Sequence, residues 1–449
     1  MFSRREFLER CLVGGGATLG IIKTGALADV AEAVADVGLD VSPDDLSDQE
    51  WFWARVQNAF ALDRSIVHLN SGGVSASPQT VHSAFKRYLD YANQAPSYYM
   101  WKHIQANLEG VRIKLARQFG CDREEIAITR NASESLENAQ FGLNLKEGDE
   151  VLATTQAYGR MLTTWDQIAR RNGIVVKKVM IPVPLMDPDD YVQRIEEAIT
   201  PKTKAILVMH VINITGQITP VKKVSALAHK RGIPVIADGA HSFSHFPFTV
   251  KDLDCDYYGT SLHKWTYAPV GCGMLYVRKD RIKETWPLMA APASQDDDIR
   301  KFESIGTHPV NFIAIAEALS FNETIGIDRK AARLRYLHMR WIKRLQPYPN
   351  VEFRTNIDDP TQWAGVLNVN IKGVDLAKLC AWLFDNHRIF VIPIGHPECM
   401  GIRVTPNVYT LLSEIDRFGD AMETVSRGEV PELMTGTQSK PVPPWDVCY

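Results

Sequence analysis

The chain of 449 residues is 45% hydrophobic and 23% charged, with a formal net charge of −3. Such a composition excludes a largely disordered chain and is enough for one broad core plus a smaller domain. It gives no electrostatic case for a nucleic-acid or anionic-membrane partner, and the seven cysteines have no CxxC or His-Cys spacing, so neither a zinc site nor a disulfide framework is expected.

Arg4-Arg5 stands before a glycine-rich apolar run, Cys11 to Ile22, and Ala26-Leu27-Ala28 supplies an A-x-A cleavage pattern. The run is too short and too rich in glycine to cross a bilayer as a helix. Paired arginines, a moderate apolar segment and Lys23 after it resemble a bacterial twin-arginine (Tat) export signal over residues 1–28. The expectation is a folded protein delivered to the periplasm or another extracytoplasmic space by the Tat export machinery. No membrane span is expected in the mature form.

Residues 29–65 form an N-terminal segment in which Trp51, Trp53, Val56 and Phe60 predict an amphipathic helix. Ile66 to Leu69 predicts a strand entering the Gly72-Gly73 turn, where Asn70 fits either a turn or a ligand-facing position. Helical patterns follow at Val81 to Tyr91 and at Ile104 to Phe119. Ile126 to Thr129 reads as a strand, closed by a tight turn and a helix start at Asn131-Ala132-Ser133. Such a helix start binds anions through its unpaired N–H groups and the helix dipole. Ser133 suits either a phosphate hydroxyl partner or a plain N-cap. Val151 to Thr155 predicts the next strand, with Tyr158 beyond it, placed in the core or against a flat ligand. Ala205 to Val211 predicts a buried strand followed by Asn213, and the helix from Val221 to Arg231 leads to the apolar run at Val235. Strands alternating with helices predict an α/β fold with a mostly parallel, doubly wound sheet.

The run at Val235 ends in Asp238-Gly239-Ala240-His241, which puts the acid at the carboxyl edge of the sheet, where open α/β folds bind ligands. Tyr258 to Lys264 delivers Ser261, His263 and Lys264 in the same way, with the glycine-rich strand Gly271 to Val277 behind them. An Asp and a Lys at neighbouring strand ends suit pyridoxal 5'-phosphate (PLP). Its aldehyde needs a lysine Schiff base, and its ring nitrogen needs an acid that keeps it protonated and electron-poor.

Past a loop at Trp286 to Asp298, helices are predicted at Pro309 to Ile325 and Arg329 to Leu345. A strand at Val366 to Ile371, a helix at Val374 to Asn386, strands at Ile389 to Ile394 and Gly401 to Val404, and a last helix at Leu411 to Val425 complete a smaller α+β domain. The expected plan is a large PLP-binding domain at 66–310, a small C-terminal domain at 311–430 and a Pro-rich tail at 431–449.

Taken together, Ser261-Leu262-His263-Lys264 and Asp238-Gly239-Ala240-His241 resemble the motifs of the class V aminotransferase family of fold type I PLP enzymes. That family includes cysteine desulfurases and isopenicillin N epimerases, and the match runs from about Asn70 to the last helix. The resemblance implies that Lys264 forms the internal aldimine and that Asp238 partners the ring nitrogen. It also implies Ala132, Ser133, Ser261 and His263 at the phosphate, Asn213 and His241 at the phenolic oxygen, and Tyr158 stacked over the ring. Arg403 would hold a substrate carboxylate. Asn70, from its own place after a strand, is the second candidate for contact with substrate. Gly306-Thr307 matches a family turn that contributes to the neighbouring subunit's phosphate site, which implies a homodimer.

The sequence departs from the desulfurase pattern at two places. Tyr158 stands where desulfurases usually carry His, which resembles the epimerase branch. Cys399 lies four positions before Arg403, whereas desulfurases place their nucleophilic Cys on a longer mobile loop. The expected function is an exported PLP-dependent enzyme acting at the α-carbon of an amino acid or peptide-like amine, aminotransferase-type or isopenicillin N epimerase-like. Transamination, epimerisation and elimination draw on the same cofactor chemistry, so a C–S or other β-eliminating lyase stays open. A protein that holds PLP without turnover stays open as well.

Overall fold

The computed structural model describes residues 25–37 and 41–434. The twin-arginine pair and residues 435–449 of the expected tail lie outside the described residues. Helices α1 (Gly25–Val37) and α2 (Glu50–Asn58), with a short helical turn at Pro43–Leu46 between them, precede the short strand β1 (Val67–His68). Helices α3 (Gln79–Gln94) and α4 (Gln105–Phe119) follow, joined through a π-helical turn at Met100–Ile104. The chain then runs β2 (Ile126–Thr129), α5 (Ala132–Gly142), β3 (Glu150–Thr154), α6 (Gly159–Asn172), β4 (Val175–Val179), α7 (Pro188–Ala198) and β5 (Thr203–Met209). Next come α8 (Val221–His229), β6 (Val235–Asp238), β7 (Tyr257–Ser261) and β8 (Gly273–Val277). The remainder comprises α9 (Ile315–Ile325), α10 (Ile327–Leu345), β9 (Val351–Phe353), β10 (Leu367–Ile371), α11 (Leu376–His387), β11 (Ile389–Phe390), β12 (Ile392–Ile394), β13 (Gly401–Val404) and α12 (Leu412–Ser426).

A seven-stranded sheet in the order β2-β8-β7-β6-β5-β3-β4 forms the centre. Only β8 runs against its neighbours, so β2, β3, β5, β6 and β7 all end at one edge. Helices cover both faces, which is why the strands read as continuous apolar runs and not as alternating ones. Adjacent residues divide between two cores: Ile206, Val208, Val235, Ala237 and Tyr258 enter one, while Ala205, Leu207, Ile236 and Tyr257 enter the other. The fold is therefore α/β with a mostly parallel sheet, as expected. The edge strand β4 escaped the sequence reading because Lys177 and Lys178 interrupt its apolar run, and its residues remain partly exposed.

A four-stranded sheet, β12-β13-β10-β9, carries the C-terminal part and packs under α10, α11 and α12 around Trp341, Leu367, Leu383 and Phe418. The single strand expected at Ile389 to Ile394 is corrected here to two strands. β11 pairs in parallel with β1, Val67 opposite Ile389, whereas β12 pairs antiparallel with β13, Ile392 opposite Arg403. The chain changes partner at Val391, and no local sequence signal marks a change of partner. Asn70 just after β1 bridges to Thr405 just after β13, so this early segment is joined to the C-terminal strands. The start of α1 includes the Ala26-Leu27-Ala28 pattern, and Val30, Ala33 and Val34 are buried in a cluster with Trp53, Tyr267, Phe321 and Tyr409.

Candidate active site

The common carboxyl edge gathers most of the residues that the sequence singled out. Asp238 is the last residue of β6 and pairs in register with Gly259 on β7 and Met209 on β5, which places it mid-sheet and only 1% exposed. Gly239 follows because a Cβ there would overlap the Tyr258 ring. Asp238 Oδ1 accepts the Ala240 N–H at 2.9 Å, while Oδ2 is buried with no protein partner. Burial pushes the carboxyl up to about 6, against the pull of the Ala240 N–H and of Lys264.

Lys264 Nζ lies 3.1 Å from His241 Nε2. Burial, with Lys264 and Arg403 nearby, holds His241 well below the usual imidazole range, so the ring is neutral. A neutral ring that accepts at Nε2 carries its proton on Nδ1, and Nδ1 is buried with no acceptor in the protein. His263 is pushed down to about 4, by burial first and then by Lys264, and its Nδ1 is also buried without a partner. The side-chain oxygen of Asn213, beyond β5, is a fourth buried atom without a partner, after Asp238 Oδ2 and the two ring nitrogens.

At the other end of this cluster, Ser261 Oγ accepts the Ala132 N–H at 2.9 Å, joining the end of β7 to the first residue of α5. Asn131, not Ser133, caps that helix, taking the Glu134 N–H at 2.9 Å. Ser133 is therefore left half-buried in the first turn with no capping duty. Close approach is required here as well, since a Cβ on Gly273 would meet the Asn131 backbone at 2.6 Å.

Arg403 comes from the four-stranded sheet. It is 6% exposed and held from two sides: Nη2 donates to Asn70 Oδ1 at 2.9 Å and Nη1 to the Asn213 carbonyl at 3.1 Å. Asn70 thus orients the arginine. Tyr158 sits at the start of α6 beyond β3, half-buried against Ala157, Met209 and Ile212. Gly306 and Thr307 are exposed and not gathered at the Lys264 cluster by any contact among the described residues. They hang from a buried anchor, the fork-to-fork pair of Arg112 and Glu303 at 2.7 and 3.0 Å.

Sequence reading missed the loop between β12 and β13. His396 Nε2 donates to the Thr155 carbonyl at 3.1 Å, and Glu398 Oε2 accepts from Thr155 Oγ1 at 2.9 Å and Gln156 Nε2 at 3.0 Å. These bonds tie the approach to Arg403 to the turn that leads to Tyr158. Cys399 in the same loop is fully buried, and burial pushes its thiol up to about 12. No short-range pattern signals pairs so far apart in sequence.

The buried atoms left without partners match a planar ligand that carries a ring N–H donor, an oxygen acceptor and an anionic group. Asp238 Oδ2 fits the ring N–H and His241 Nδ1–H fits the oxygen. Residues 67–416 match the family model described as aminotransferase class-V. The chain belongs to the class V aminotransferase family. It is 26% identical over 392 residues to the isopenicillin N epimerase of Streptomyces clavuligerus, covering 83% of this chain and 98% of that protein. It is 28% identical over 330 residues to a probable cysteine desulfurase of Halalkalibacterium halodurans, covering 69% of this chain and 78% of that protein. The solved cysteine desulfurase of Thermococcus onnurineus superposes with a TM-score of 0.73 at 24% identity, over 84% of this chain and 98% of that one. The fold is that of the fold type I enzymes, and the cofactor of this class V enzyme is PLP.

Proposed function

We propose that this class V enzyme acts at the α-carbon of an amino acid or peptide-like amine, by epimerisation or transamination, without a cysteine nucleophile. The observation that carries the reading is the burial of Cys399 on a loop bonded to Thr155 and Gln156. A thiol whose pKa is pushed up to about 12 supplies almost no thiolate near neutrality, and its loop is held down.

In this reading Lys264 binds the cofactor aldehyde, Asp238 holds the ring nitrogen, and Ala132, Ser133, Ser261 and His263 receive the phosphate. When bound, PLP supplies an electron-withdrawing ring that stabilises negative charge at the substrate α-carbon. Neutral His241 offers a proton acceptor 3.1 Å from the Lys264 amine, so Lys264 is set to hold or move a proton beside the α-carbon. Arg403, oriented by Asn70 and the Asn213 carbonyl, takes a substrate carboxylate in a charge-assisted pair. Tyr158 is the candidate for a second proton donor, which epimerisation needs and transamination does not.

Product analysis of the PLP-loaded enzyme with D- and L-amino acids, with and without an oxo-acid acceptor, tests the reading. Interconversion of enantiomers without acceptor marks an epimerase, and acceptor-dependent amino transfer marks a transaminase. Release of sulfide or of another β-substituent overturns both in favour of a lyase. We also propose that the chain is exported, which double substitution Arg4→Lys and Arg5→Lys would abolish on cell fractionation. A homodimer in which Gly306-Thr307 serves the partner's phosphate completes the proposal. A chain that stays monomeric while holding PLP counts against it.

A further inference from the structure

Lys330, on α10, is wholly buried, and no ion pair involving it is found among the described residues. Its Nζ donates to the Trp265 carbonyl and, at 2.9 Å, to Asn322 Oδ1, and lies 3.9 Å from the centre of the Tyr267 ring. Asn322 Nδ2 in turn donates to the Thr266 carbonyl at 2.8 Å. On the other side of Lys264, the Ser75 N–H holds the His263 carbonyl at 3.1 Å. The peptide carbonyls of His263, Trp265 and Thr266 are thus each taken by a different distant element. Tyr267 ends the turn at a φ of +67°, a conformation an L side chain rarely adopts, and its hydroxyl is fastened to Asn407 Oδ1 at 2.6 Å.

The turn is gripped from a second side by His245. Its ring stacks flat on Trp265, 3.7 Å between centres, while Nε2 accepts the Gly365 N–H at 2.6 Å and Nδ1 donates to the His241 carbonyl at 2.6 Å. The Lys264 segment and the His241 segment therefore share one support.

A buried amine without a carboxylate is an unfavourable choice for packing alone, since an apolar side chain of similar length fills the space without desolvation. What Lys offers and Met does not is a set of N–H donors for a turn that has no sheet or helix partner for its carbonyls. We propose that Lys330, with Asn322, is a positioning residue that fixes the backbone after Lys264 and so aims the Lys264 amine at the cofactor. The inference rests on the reading of Lys264 as the cofactor-bearing lysine.

The test uses PLP-loaded wild type, Lys330→Met and Asn322→Ala, reduced with borohydride and mapped by peptide mass spectrometry, with kcat and KM measured in parallel. In Lys330→Met we expect cofactor still to be bound, the share fixed to Lys264 to fall several-fold, and kcat to fall about ten-fold with KM little changed, because a small misplacement of a reacting group is enough for that loss. A variant that is merely less heat-stable, with an unchanged fixed share and kcat, overturns the proposal. Should Lys330→Met fail to fold, Asn322→Ala carries the same expectation, and a wild-type fixed share and kcat in that variant overturn it. Fixation of the wild-type cofactor to a lysine other than Lys264 sinks the underlying site reading, a result distinct from either of these.

Discussion

The two sheets serve the same site in different ways. The seven-stranded sheet presents Asp238, Ser261 and, just past its strands, Asn213, His241 and Lys264 from ends that share one edge, so strand order gathers them, and distant side chains then hold the turn after Lys264. The four-stranded sheet supplies Arg403 alone, and its aim depends on Asn70, more than three hundred residues earlier, and on the carbonyl of Asn213. Asp238 and Ser261 end strands packed on both faces, whereas Arg403 is oriented by contacts to segments far away in sequence. The first pair is placed by strand order, the second placement by contacts that only the packing of the two sheets creates.

The largest effect expected from breaking this division is at the seven-stranded sheet. Lys264→Ala should lower turnover by at least about a thousand-fold while leaving some PLP bound through the remaining groups, measured by steady-state assay and cofactor release. Turnover within ten-fold of wild type would remove Lys264 from the chemistry.

Asp238 offers a pH test on the cofactor-free protein. Its folded carboxyl is raised from 3.8 to about 6, so between those values the folded state binds more protons than the unfolded state. Stability then falls as pH rises from about 4 through 6 and levels off above. Asp238→Asn should remove this slope, gaining on wild type in denaturant titrations at pH 7 relative to pH 4. A wild-type-minus-variant difference that stays flat across the window would show that the carboxyl is not burdened in this way.

At the substrate end, Arg403→Gln should lower kcat/KM for a carboxylate-bearing substrate by about a hundred-fold, mainly through KM, as expected when a charge-assisted pair is lost. PLP content should stay at the wild-type level. Loss of cofactor would show that the two halves are not separable. The smallest effect is expected for Cys399→Ala, with activity within about two-fold of wild type, because a buried thiol pushed up to about 12 supplies little thiolate. A dead Cys399→Ala enzyme, alongside sulfide release by the wild type, would transfer the protein to the desulfurase branch.

Several features missed by the sequence reading share one cause. Lys330 looks like a surface lysine on an amphipathic helix, and its burial follows only from α10 packing beside the Trp265 turn. His396 and Glu398 resemble ordinary loop residues, and their bonds to Thr155 and Gln156 exist only because the two sheets meet. The split of β11 from β12 is similar, since a change of strand partner leaves no periodic trace.

What the sequence by itself determined is the α/β class, the strands along the chain through Lys264 apart from β4, and a set of candidate cofactor-facing residues that the structure gathers at one sheet edge. Buried parallel strands impose long apolar runs, and a strand that ends in Asp-Gly or Ser-x-His-Lys can only present those groups at its carboxyl edge. Tertiary structure alone decided that Asn131 and not Ser133 caps α5, that Asn70 orients Arg403, that Cys399 is buried under a bonded loop, and that Lys330 grips the turn after Lys264. Those outcomes depend on which distant backbone carbonyls and side chains come within about 3 Å of one another, a distance fixed by packing and absent from any local pattern.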